Sequence, residues 1–272
     1  MTAPAIPYNA PLMAEHPFDL TGKVALITGA NSGLGFAYAD AIARAGGDVV
    51  IWGRRADQNQ EAAQRLRAHG GRVATASVDV ADEFAQKSAF AEALEEMGRL
   101  DCVIANAGGV TMAPVVDMSA EQWDALQGVA QRGAFFTLRE AARHMVARAE
   151  AGDAGGSLIA TGSLTNFAAV PGLAHYAAAK CAVAGLVRTL AFELGPRGIR
   201  ANMVCAGLTK TGMVPFDDEH PLGRDAVAKI PMGRMADPEE MAGIVVYLAS
   251  DASRYHTGDL ITVDGGRMIN GT

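Results

Sequence analysis

The amino-acid sequence predicts an α/β protein built around one doubly wound, parallel seven-stranded sheet with helices on both faces. From residue 22 onward, short apolar runs rich in β-branched residues alternate with longer, alanine-rich stretches. This alternation is typical of parallel sheets, because their strands are joined by helices that cover both faces. The length of 272 residues, half of them apolar, suits one large domain better than two small ones. We therefore expect a single domain over residues 21–272, preceded by an N-terminal arm over residues 1–20.

The elements follow in order from local composition. Strands buried on both faces are near-continuous apolar runs, and we expect them at KVALIT (23–28), DVVIW (48–52), RVATASV (72–78), CVIAN (102–106), SLIAT (157–161), IRANMVC (199–205) and LITV (260–263). Helices are favoured where alanine and other good helix formers dominate a longer stretch, and we expect them near 33–45, 56–69, 82–97, 119–149, 173–194 and 238–250. Such sheets bind ligands outside the carboxyl ends of their strands. The residues that follow each strand are therefore the candidate binding residues.

The first strand leads into a glycine-rich turn, TGANSGLG at residues 28–35. Glycines lack Cβ atoms, so the backbone can approach a pyrophosphate whose charge the helix amino terminus stabilises. The spacing G-x-x-x-G-x-G differs from the G-x-G-x-x-G fingerprint, and a tight turn that binds nothing is the alternative. Its place after the first strand favours a dinucleotide-binding (Rossmann) domain. We expect the cofactor to be bound here by Gly29, Asn31, Ser32, Gly33, Leu34 and Gly35.

The end of the second strand bears on the choice between NADP and NAD. NAD-binding proteins usually hold a carboxylate about 20 residues beyond the glycines, where it binds the ribose 2′-hydroxyl. Gly53 occupies that place here, and Arg54 and Arg55 follow it. Because an arginine can pair with a 2′-phosphate, Arg54 favours NADP, with NAD as the alternative cofactor. Two solvated arginines at a helix start would give the same pattern.

Small or hydrogen-bonding residues follow the next three strands, namely Asp79, NAGG (106–109) and GSLT (162–165). Ser163 precedes Tyr176 by thirteen residues, so a serine at a strand end and a tyrosine on a helix can converge on one carbonyl oxygen. Lys180 lies one helical turn after Tyr176, which places both side chains on one helix face. Taken alone, such a pair is also compatible with an ordinary solvent-exposed helix.

Together these motifs resemble those of the short-chain dehydrogenase/reductase family over nearly all of residues 20–266. The matching motifs are TGANSGLG (28–35), NAG (106–108), Ser163, the Tyr176-x-x-x-Lys180 pair and VDGG (263–266). The resemblance implies an oxidoreductase that transfers a hydride between NADP(H) and a small-molecule secondary alcohol or ketone. It also implies cofactor contacts from Asp79, Val80, Asn106, Ala107, Gly108, Tyr176, Lys180, Gly207 and Thr211.

The resemblance further implies three catalytic residues. Ser163 would hydrogen-bond the substrate oxygen, and Tyr176 would serve as general acid or base. Lys180 would hold the nicotinamide ribose and favour the tyrosinate. A free tyrosine has a pKa of about 10, and both a nearby ammonium and the positive ring of oxidised nicotinamide favour its anion.

The sequence departs from the family pattern at two positions. The family usually has an asparagine seven residues after a tryptophan, where it helps to hold a water in the proton relay to the lysine; after Trp123 that position is Ala130. Gln127 and Gln131 are nearby amides, although their helical angles make them poor substitutes. In addition, the family's Pro-Gly after the sixth strand reads Ala206-Gly207, which alters a rigid turn.

Composition narrows the classes of partner. A formal net charge of −7 argues against nucleic acid or an anionic membrane surface. No apolar stretch approaches the ~20 residues of a membrane span. Cys102, Cys181 and Cys205 lack the spacing of a disulfide framework or a zinc site, and the histidines suggest no ligand cluster. We therefore expect no metal and a cytoplasmic location.

Two functional hypotheses remain open at this stage. The first is the oxidoreductase; the second, motivated by Ala130, is a dinucleotide-binding regulator or scaffold without turnover. The retained serine, tyrosine and lysine favour the enzyme, because a pure binder needs no tuned acid. The resemblance also implies a homotetramer, assembled through helices 119–149 and 173–194 and the C-terminal strand. It implies a lid over residues 209–235, in which Met213, Val214 and Phe216 could form an apolar wall.

Overall fold

The computed structural model describes residues 16–214, 217 and 219–269, and within these residues the strands form one parallel sheet. The strands are β1 (Val24–Thr28), β2 (Asp48–Gly53), β3 (Val73–Ser77), β4 (Cys102–Ala105), β5 (Gly156–Ser163), β6 (Ile199–Ala206) and β7 (Leu260–Val263). Their order in the sheet is β3-β2-β1-β4-β5-β6-β7, and every pair is parallel. The order reverses between β1 and β4, which opens a crevice at the carboxyl ends of these strands. The predicted doubly wound, seven-stranded fold is confirmed.

Helices cover both faces of the sheet. They are α1 (Gly33–Arg44), α2 (Ala56–Arg67), α3 (Glu83–Met97), α4 (Ala120–Gln127), α5 (Ala134–Glu150), α6 (Ala174–Leu194), α7 (Pro221–Val227) and α8 (Ala242–Ala249). One buried cluster packs α3, α5 and α6 against one face, and a second packs α1, α2 and α8 against the other. Among the described residues, no helix combines the length and the apolar character needed to cross a membrane.

The predicted helix over 119–149 is interrupted. A π-helical segment, Gly128–Gly133, separates α4 from α5. The last residue of this segment, Gly133, packs against the loop that follows β3. A Cβ added to Gly133 would lie only 2.8 Å from Val80 Cγ2. The wide turn therefore brings the backbone close to Val80, and sequence periodicity alone does not reveal this distortion.

The predicted lid contains a short helix, α7, that the local sequence pattern did not predict. Pro221 begins α7, and the Nδ1 atom of His220 accepts a hydrogen bond from the backbone N–H of Leu222 across 3.2 Å. Proline at the first helical position and a capping side chain before it are standard start signals. The predicted helix 238–250 is likewise divided into a 3₁₀ turn, Pro238–Met241, and α8.

The end of the N-terminal arm packs onto the domain. Leu20 is buried in the core beside α1, and its backbone N–H donates to Ala45 across 2.9 Å. Pro17 accepts a hydrogen bond from the backbone of Ala252 across 3.0 Å. Residues 1–15 of the predicted arm, and Phe216 of the predicted lid, lie outside the described residues.

Candidate active site

Ser163, Tyr176 and Lys180 meet where β5 ends and α6 begins. Ser163 is the last residue of β5, and the other two lie on the first turns of α6. The Lys180 Nζ atom lies 5.5 Å from the centre of the Tyr176 ring. Tyr176 is half-buried and packs against the small cluster of Leu126, Ala130 and Ala179. The structure thus brings the predicted catalytic residues together at the carboxyl end of the sheet.

Lys180 is buried, with 5% of its surface exposed, and its Nζ atom donates to the backbone carbonyl of Thr161 across 2.7 Å. A buried ammonium is costly unless it is hydrogen-bonded. Because an ammonium has three donors, this bond leaves two N–H groups for other acceptors. The side chain is therefore fixed in position beside the tyrosine by the backbone of β5.

Asn166, which sequence reasoning did not identify, connects the serine to the lysine. Its Oδ1 atom accepts from the backbone N–H of Ser163 across 2.9 Å, and its Nδ2 atom donates to the carbonyl of Lys180 across 2.8 Å. The backbone N–H of Thr165 donates to Ser163 Oγ across 3.2 Å. The serine–asparagine pair forms a capping box over a 3₁₀ turn, and the spacing of serine and asparagine three residues apart is its only sequence signal.

A second asparagine links the glycine turn to this lysine. Asn106 Nδ2 donates to the carbonyl of Thr28 across 2.9 Å, and Asn106 Oδ1 accepts from Thr161 Oγ1 across 3.0 Å. Thr161 is also the residue whose carbonyl binds Lys180. The predicted cofactor residue Asn106 therefore joins β1 to β5 and places the two halves of the site relative to each other.

The glycine turn has the geometry that close approach to a ligand requires. Gly29 and Gly33 have φ angles of +66° and +54°, in the left-handed region that favours glycine. A Cβ on Gly35 would collide with the carbonyl oxygen of Gly29 and lie 2.5 Å from Asn106 Nδ2. Helix α1 therefore begins directly against β1, and its amino terminus faces the crevice.

The remaining predicted cofactor residues lie around the same crevice. Ala107 donates its backbone N–H to Thr28 Oγ1 across 2.9 Å, which holds the NAG motif beside the glycine turn. A Cβ on Gly33 would lie 3.5 Å from Thr211 Cγ2, so the predicted lid touches the turn. A cavity of about 430 Å³ lies between Gly33 and the segment from Lys210 to Val214.

Four other predicted residues lie at the edges of the crevice. Gly207 packs so closely that a Cβ would lie 2.6 Å from Asp264 Cα. Asp79 caps the turn after β3, where its Oδ1 atom accepts from Ala81 across 3.0 Å, and Val80 beside it is buried. The backbone of the exposed Arg54 accepts from Ser77 Oγ across 3.0 Å.

Gly53 ends β2 in a space that two asparagines fill. Asn59, with 1% of its surface exposed, donates to the carbonyls of Gly53 and Ala76, each across 2.9 Å. Its Oδ1 atom accepts from Asn31 Nδ2 across 2.9 Å. A Cβ on Gly53 would collide with Asn31 Nδ2 and lie 2.5 Å from Asn59 Oδ1. A carboxylate side chain at this position would therefore require these asparagines to move.

Ala130, the departure from the family pattern, is buried within the π-helical segment against Leu126 and Ala179. The neighbouring amide of Gln127 points elsewhere, because its Nε2 atom donates to the backbone carbonyl of His175 across 2.8 Å. His175 is fully buried, and its Nε2 atom lies 3.0 Å from Thr111 Oγ1. Gln127 therefore braces the residue before Tyr176.

Thiol chemistry is disfavoured near the site. Burial raises the pKa of the Cys205 thiol to about 11, so the thiolate is scarce at neutral pH. Among the described residues, no group of three or more histidine, cysteine or acidic side chains could hold a metal ion. The polar groups of the crevice instead suit a dinucleotide and a carbonyl compound.

Comparison with known proteins agrees with this geometry. Residues 29–267 match the family model described as enoyl-(acyl carrier protein) reductase. The chain belongs to the short-chain dehydrogenase/reductase family. The prediction made from the motifs is thereby confirmed.

Three relatives of this short-chain dehydrogenase/reductase illustrate its similarity. L-Rhamnose 1-dehydrogenase (NAD(P)(+)) of Azotobacter vinelandii is 33% identical, and the match covers 92% of this chain and 98% of that protein. A short-chain type dehydrogenase/reductase from Mycobacterium marinum is 37% identical with a TM-score of 0.84, covering 92% of this chain and 97% of the other. A gluconate 5-dehydrogenase from Burkholderia cenocepacia, solved with NADP and tartrate, is 32% identical with a TM-score of 0.87, covering 93% and 98%. These comparisons confirm the predicted nicotinamide dinucleotide cofactor.

Proposed function

We propose that this protein is an NADP(H)-dependent oxidoreductase that interconverts a secondary alcohol and a ketone, with Tyr176 as general acid and base. The observation that carries the proposal is the Lys180 ammonium, 5.5 Å from the centre of the Tyr176 ring and fixed by the carbonyl of Thr161. A positive charge held there stabilises the phenolate form of the tyrosine. A binding protein without turnover could use Lys180 for the cofactor but would not need a tyrosine placed beside it.

In the direction of reduction, Tyr176 donates its phenolic proton to the carbonyl oxygen; in the direction of oxidation, the phenolate accepts the alcohol proton. The substrate oxygen is oriented by Ser163. Its Oγ atom already accepts from the backbone of Thr165 across 3.2 Å, so its O–H can donate to the substrate. Two donors, from Ser163 and Tyr176, would then bind the one oxygen at which charge develops.

The residues of the crevice fit a dinucleotide. The amino terminus of α1 and the glycines at 29, 33 and 35 provide a site that a pyrophosphate can approach closely. The two remaining N–H groups of Lys180 can bind ribose hydroxyls. When bound, the nicotinamide supplies the hydride chemistry, for which no protein side chain is suited.

The preference for NADP is supported by the end of β2. Gly53 has no carboxylate to bind a ribose 2′-hydroxyl, and Asn31 and Asn59 fill the space that such a side chain would need. Arg54 follows as an exposed cation at the edge of the crevice, where it can pair with a 2′-phosphate. NAD remains the alternative cofactor.

A regulator or scaffold that binds the dinucleotide without turnover is the second candidate. It is favoured by Ala130, which has no side-chain amide to hold a water near Lys180. The backbone carbonyl of Ala130 remains and can still hold a water near Lys180. A hydrogen bond through such a bridging water is nearly as favourable in enthalpy as a direct one.

The proposal extends to assembly. We propose a homotetramer formed through α4–α5, α6 and β7, with residues 21–272 as the catalytic domain, 209–235 as its lid, and a cytoplasmic location. The outer face of α6 carries Phe192, which is 86% exposed, and α5 carries the 39% exposed Phe135. Exposed aromatic side chains on neighbouring helices are typical of subunit contacts.

The test is an assay of the full chain against a panel of ketones and secondary alcohols with NADPH and with NADH, beside calorimetric binding of both cofactors. Turnover of a carbonyl compound with NADPH that is lost in Tyr176→Phe, while NADPH binding survives, is the expected result. Tight NADPH binding without turnover of any substrate in the panel, together with activity gained in Ala130→Asn, would establish the second candidate instead.

A further inference from the structure

Two loops flank the candidate catalytic residues, and both lack charge. The first follows β4, and residues 102–116 contain no Asp, Glu, Lys or Arg. The second joins β5 to α6, and residues 154–179 contain none either. An anionic substrate is usually held by arginine or lysine beside the reacting group. Neither loop offers such a partner.

The two loops contact each other next to Tyr176. The backbone N–H of Ala113 donates to the carbonyl of Gly172 across 3.1 Å. A Cβ on Gly172 would lie 3.4 Å from Met112 Cε, and Thr111 Oγ1 lies 3.0 Å from the ring of His175. The side chain of Met112 is therefore beside the segment that leads directly into the catalytic tyrosine.

These loops expose apolar side chains, which we call the mouth patch: Met112, Phe167 and Val170, exposed to 68%, 47% and 42%. From the lid, Met213 adds a fourth apolar side chain that is 41% exposed. Exposed apolar side chains on loops that lead into a polar catalytic group are characteristic of a binding site for an apolar molecule.

The lid adds no excess of positive charge, because residues 209–235 contain four Lys or Arg and four Asp or Glu. Lys210 Nζ lies 3.7 Å from Asp237 Oδ1, so its charge is already opposed. Asp217 and Glu219 are exposed carboxylates on the same segment. An anion would therefore find apolar side chains on the two loops and no net positive charge on the lid to offset them.

We propose that the substrate is an uncharged ketone or secondary alcohol whose reacting carbon lies in, or is attached to, an apolar ring or branched chain. This inference rests on the proposed function and specifies its substrate class. The mouth patch would bind the apolar group while Ser163 and Tyr176 bind the oxygen. In contrast, the sugar and the sugar acid in the names of the two dehydrogenases above are rich in hydroxyl groups, for which the mouth patch offers few polar partners.

A matched pair of ketones tests the inference. 4-Methylcyclohexanone and 4-oxocyclohexanecarboxylate share one ring and differ in a methyl or carboxylate group. With the full chain and NADPH near neutral pH, we expect kcat/KM to be on the order of 100-fold higher for the methyl compound. A preference for the carboxylate compound, or for 5-ketogluconate, would overturn the inference and leave the proposed oxidoreductase intact.

Two lysine variants locate the effect. Met112→Lys and Val170→Lys should each raise the KM for 4-methylcyclohexanone about tenfold. Each should also lower the ratio of kcat/KM for the methyl compound to kcat/KM for the carboxylate compound. Phe84→Lys, which adds the same charge at an 80% exposed position on α3, is the control and should change neither value. If the lysine variants alter the oligomeric state by light scattering but leave the ratio of the two substrates unchanged, the mouth patch is a subunit contact and the inference is wrong.

Binding separates this inference from the proposed function. The affinities of 4-methylcyclohexanol and 4-hydroxycyclohexanecarboxylate are measured by ligand-observed NMR on the NADPH-loaded chain, in which neither alcohol can be oxidised. If no ketone or alcohol of the panel is turned over, the oxidoreductase proposal fails; a stronger affinity for the uncharged alcohol still supports the apolar site. Equal or stronger binding of the carboxylate compound overturns it.

Discussion

The side-chain amide of Gln127 donates a hydrogen bond across 2.8 Å to the backbone carbonyl of His175, the residue before Tyr176. This bond joins the last residue of α4 to the first turn of α6. Gln127 precedes Ala130 by about one helical turn, and Ala130 is the position at which the family usually has an asparagine. We therefore predict that Gln127 is a positioning residue, since its bond holds the start of α6 against the end of α4.

Replacing this amide should misplace the tyrosine. In Gln127→Ala, we expect kcat to fall about tenfold with the KM for NADPH nearly unchanged, because small misplacements of a catalytic group are costly. Steady-state kinetics with both substrates varied measures this split. Gln131→Ala, the same substitution within the π-helical segment, is the control. Equal losses in the two variants, or a loss confined to protein stability, would contradict a positioning role.

The tyrosine itself should carry the proton transfer. Tyr176→Phe keeps the ring and removes the hydroxyl, so kcat should fall by roughly 10²- to 10⁴-fold, as is typical of general acid–base groups. Calorimetry should show NADPH binding preserved. Lys180→Ala should weaken both binding and rate, because its ammonium serves the cofactor as well as the tyrosine. A Tyr176→Phe enzyme with near-normal kcat would place the acid elsewhere.

The cofactor preference should depend on Arg54. Arg54→Ala removes the cation that can pair with a 2′-phosphate, and we expect affinity for NADPH to fall about tenfold while affinity for NADH changes little. Calorimetric titration of both cofactors measures the difference. Arg55→Ala, at the adjacent exposed arginine, is the matched control. A parallel loss for both cofactors would mean that Arg54 does not read the phosphate.

Ala130→Asn tests the position in the π-helical segment at which this chain has alanine and the family usually has asparagine. Ala130 is 2% exposed and packed against Leu126 and Ala179, so the larger side chain should lower the free energy of unfolding by about 1–3 kcal/mol. The kcat of the folded enzyme should stay similar or rise, because the added amide can hold a water near Lys180. Urea unfolding and steady-state kinetics measure the two effects. A large fall in kcat would show that the native alanine is required there.

Stability should depend on pH through a buried carboxylate. Burial opposes ionisation of Asp101, but hydrogen bonds from Arg99 and from the backbone N–H of Val24, with the nearby charge of Arg148, outweigh it and lower its pKa. Because its pKa is lower in the folded state, ionised Asp101 stabilises the protein at pH values above its unfolded-state pKa of about 4. This stabilisation is lost as the pH falls through the pKa of Asp101 in the folded state.

Asp101→Asn should therefore be destabilised by on the order of 3 kcal/mol at pH 7, where the arginines lose a buried partner. The difference from the native chain should shrink as the pH falls below about 4. Urea unfolding at a series of pH values follows this dependence, with the exposed Asp57→Asn as control. A destabilisation that is constant across this range would show that the charge of Asp101 is not involved.

Local sequence patterns alone determined the fold, while the candidate catalytic residues were predicted from the family resemblance. The apolar runs predicted all seven strands, and their regular alternation with helices predicted the parallel sheet. The glycines at 28–35 were predicted to bind the cofactor from the rule that ligands bind at the carboxyl ends of strands, whereas the roles of Ser163, Tyr176 and Lys180 were predicted from the family resemblance. The fold prediction succeeds because side-chain periodicity depends on residues close together in the chain.

The tertiary structure decided which other residues support that site. Asn166 is 14 residues from the lysine whose backbone it binds, Gln127 is 48 residues from His175, and Asn59 is 28 residues from Asn31. No local sequence pattern predicts which distant backbone or side-chain group a buried amide will hydrogen-bond. Such side chains must find partners once packing removes them from water, and those partners are set only when the helices close over the sheet. The π-helical segment has the same origin, since it forms where Gly133 meets Val80 across 53 residues of chain.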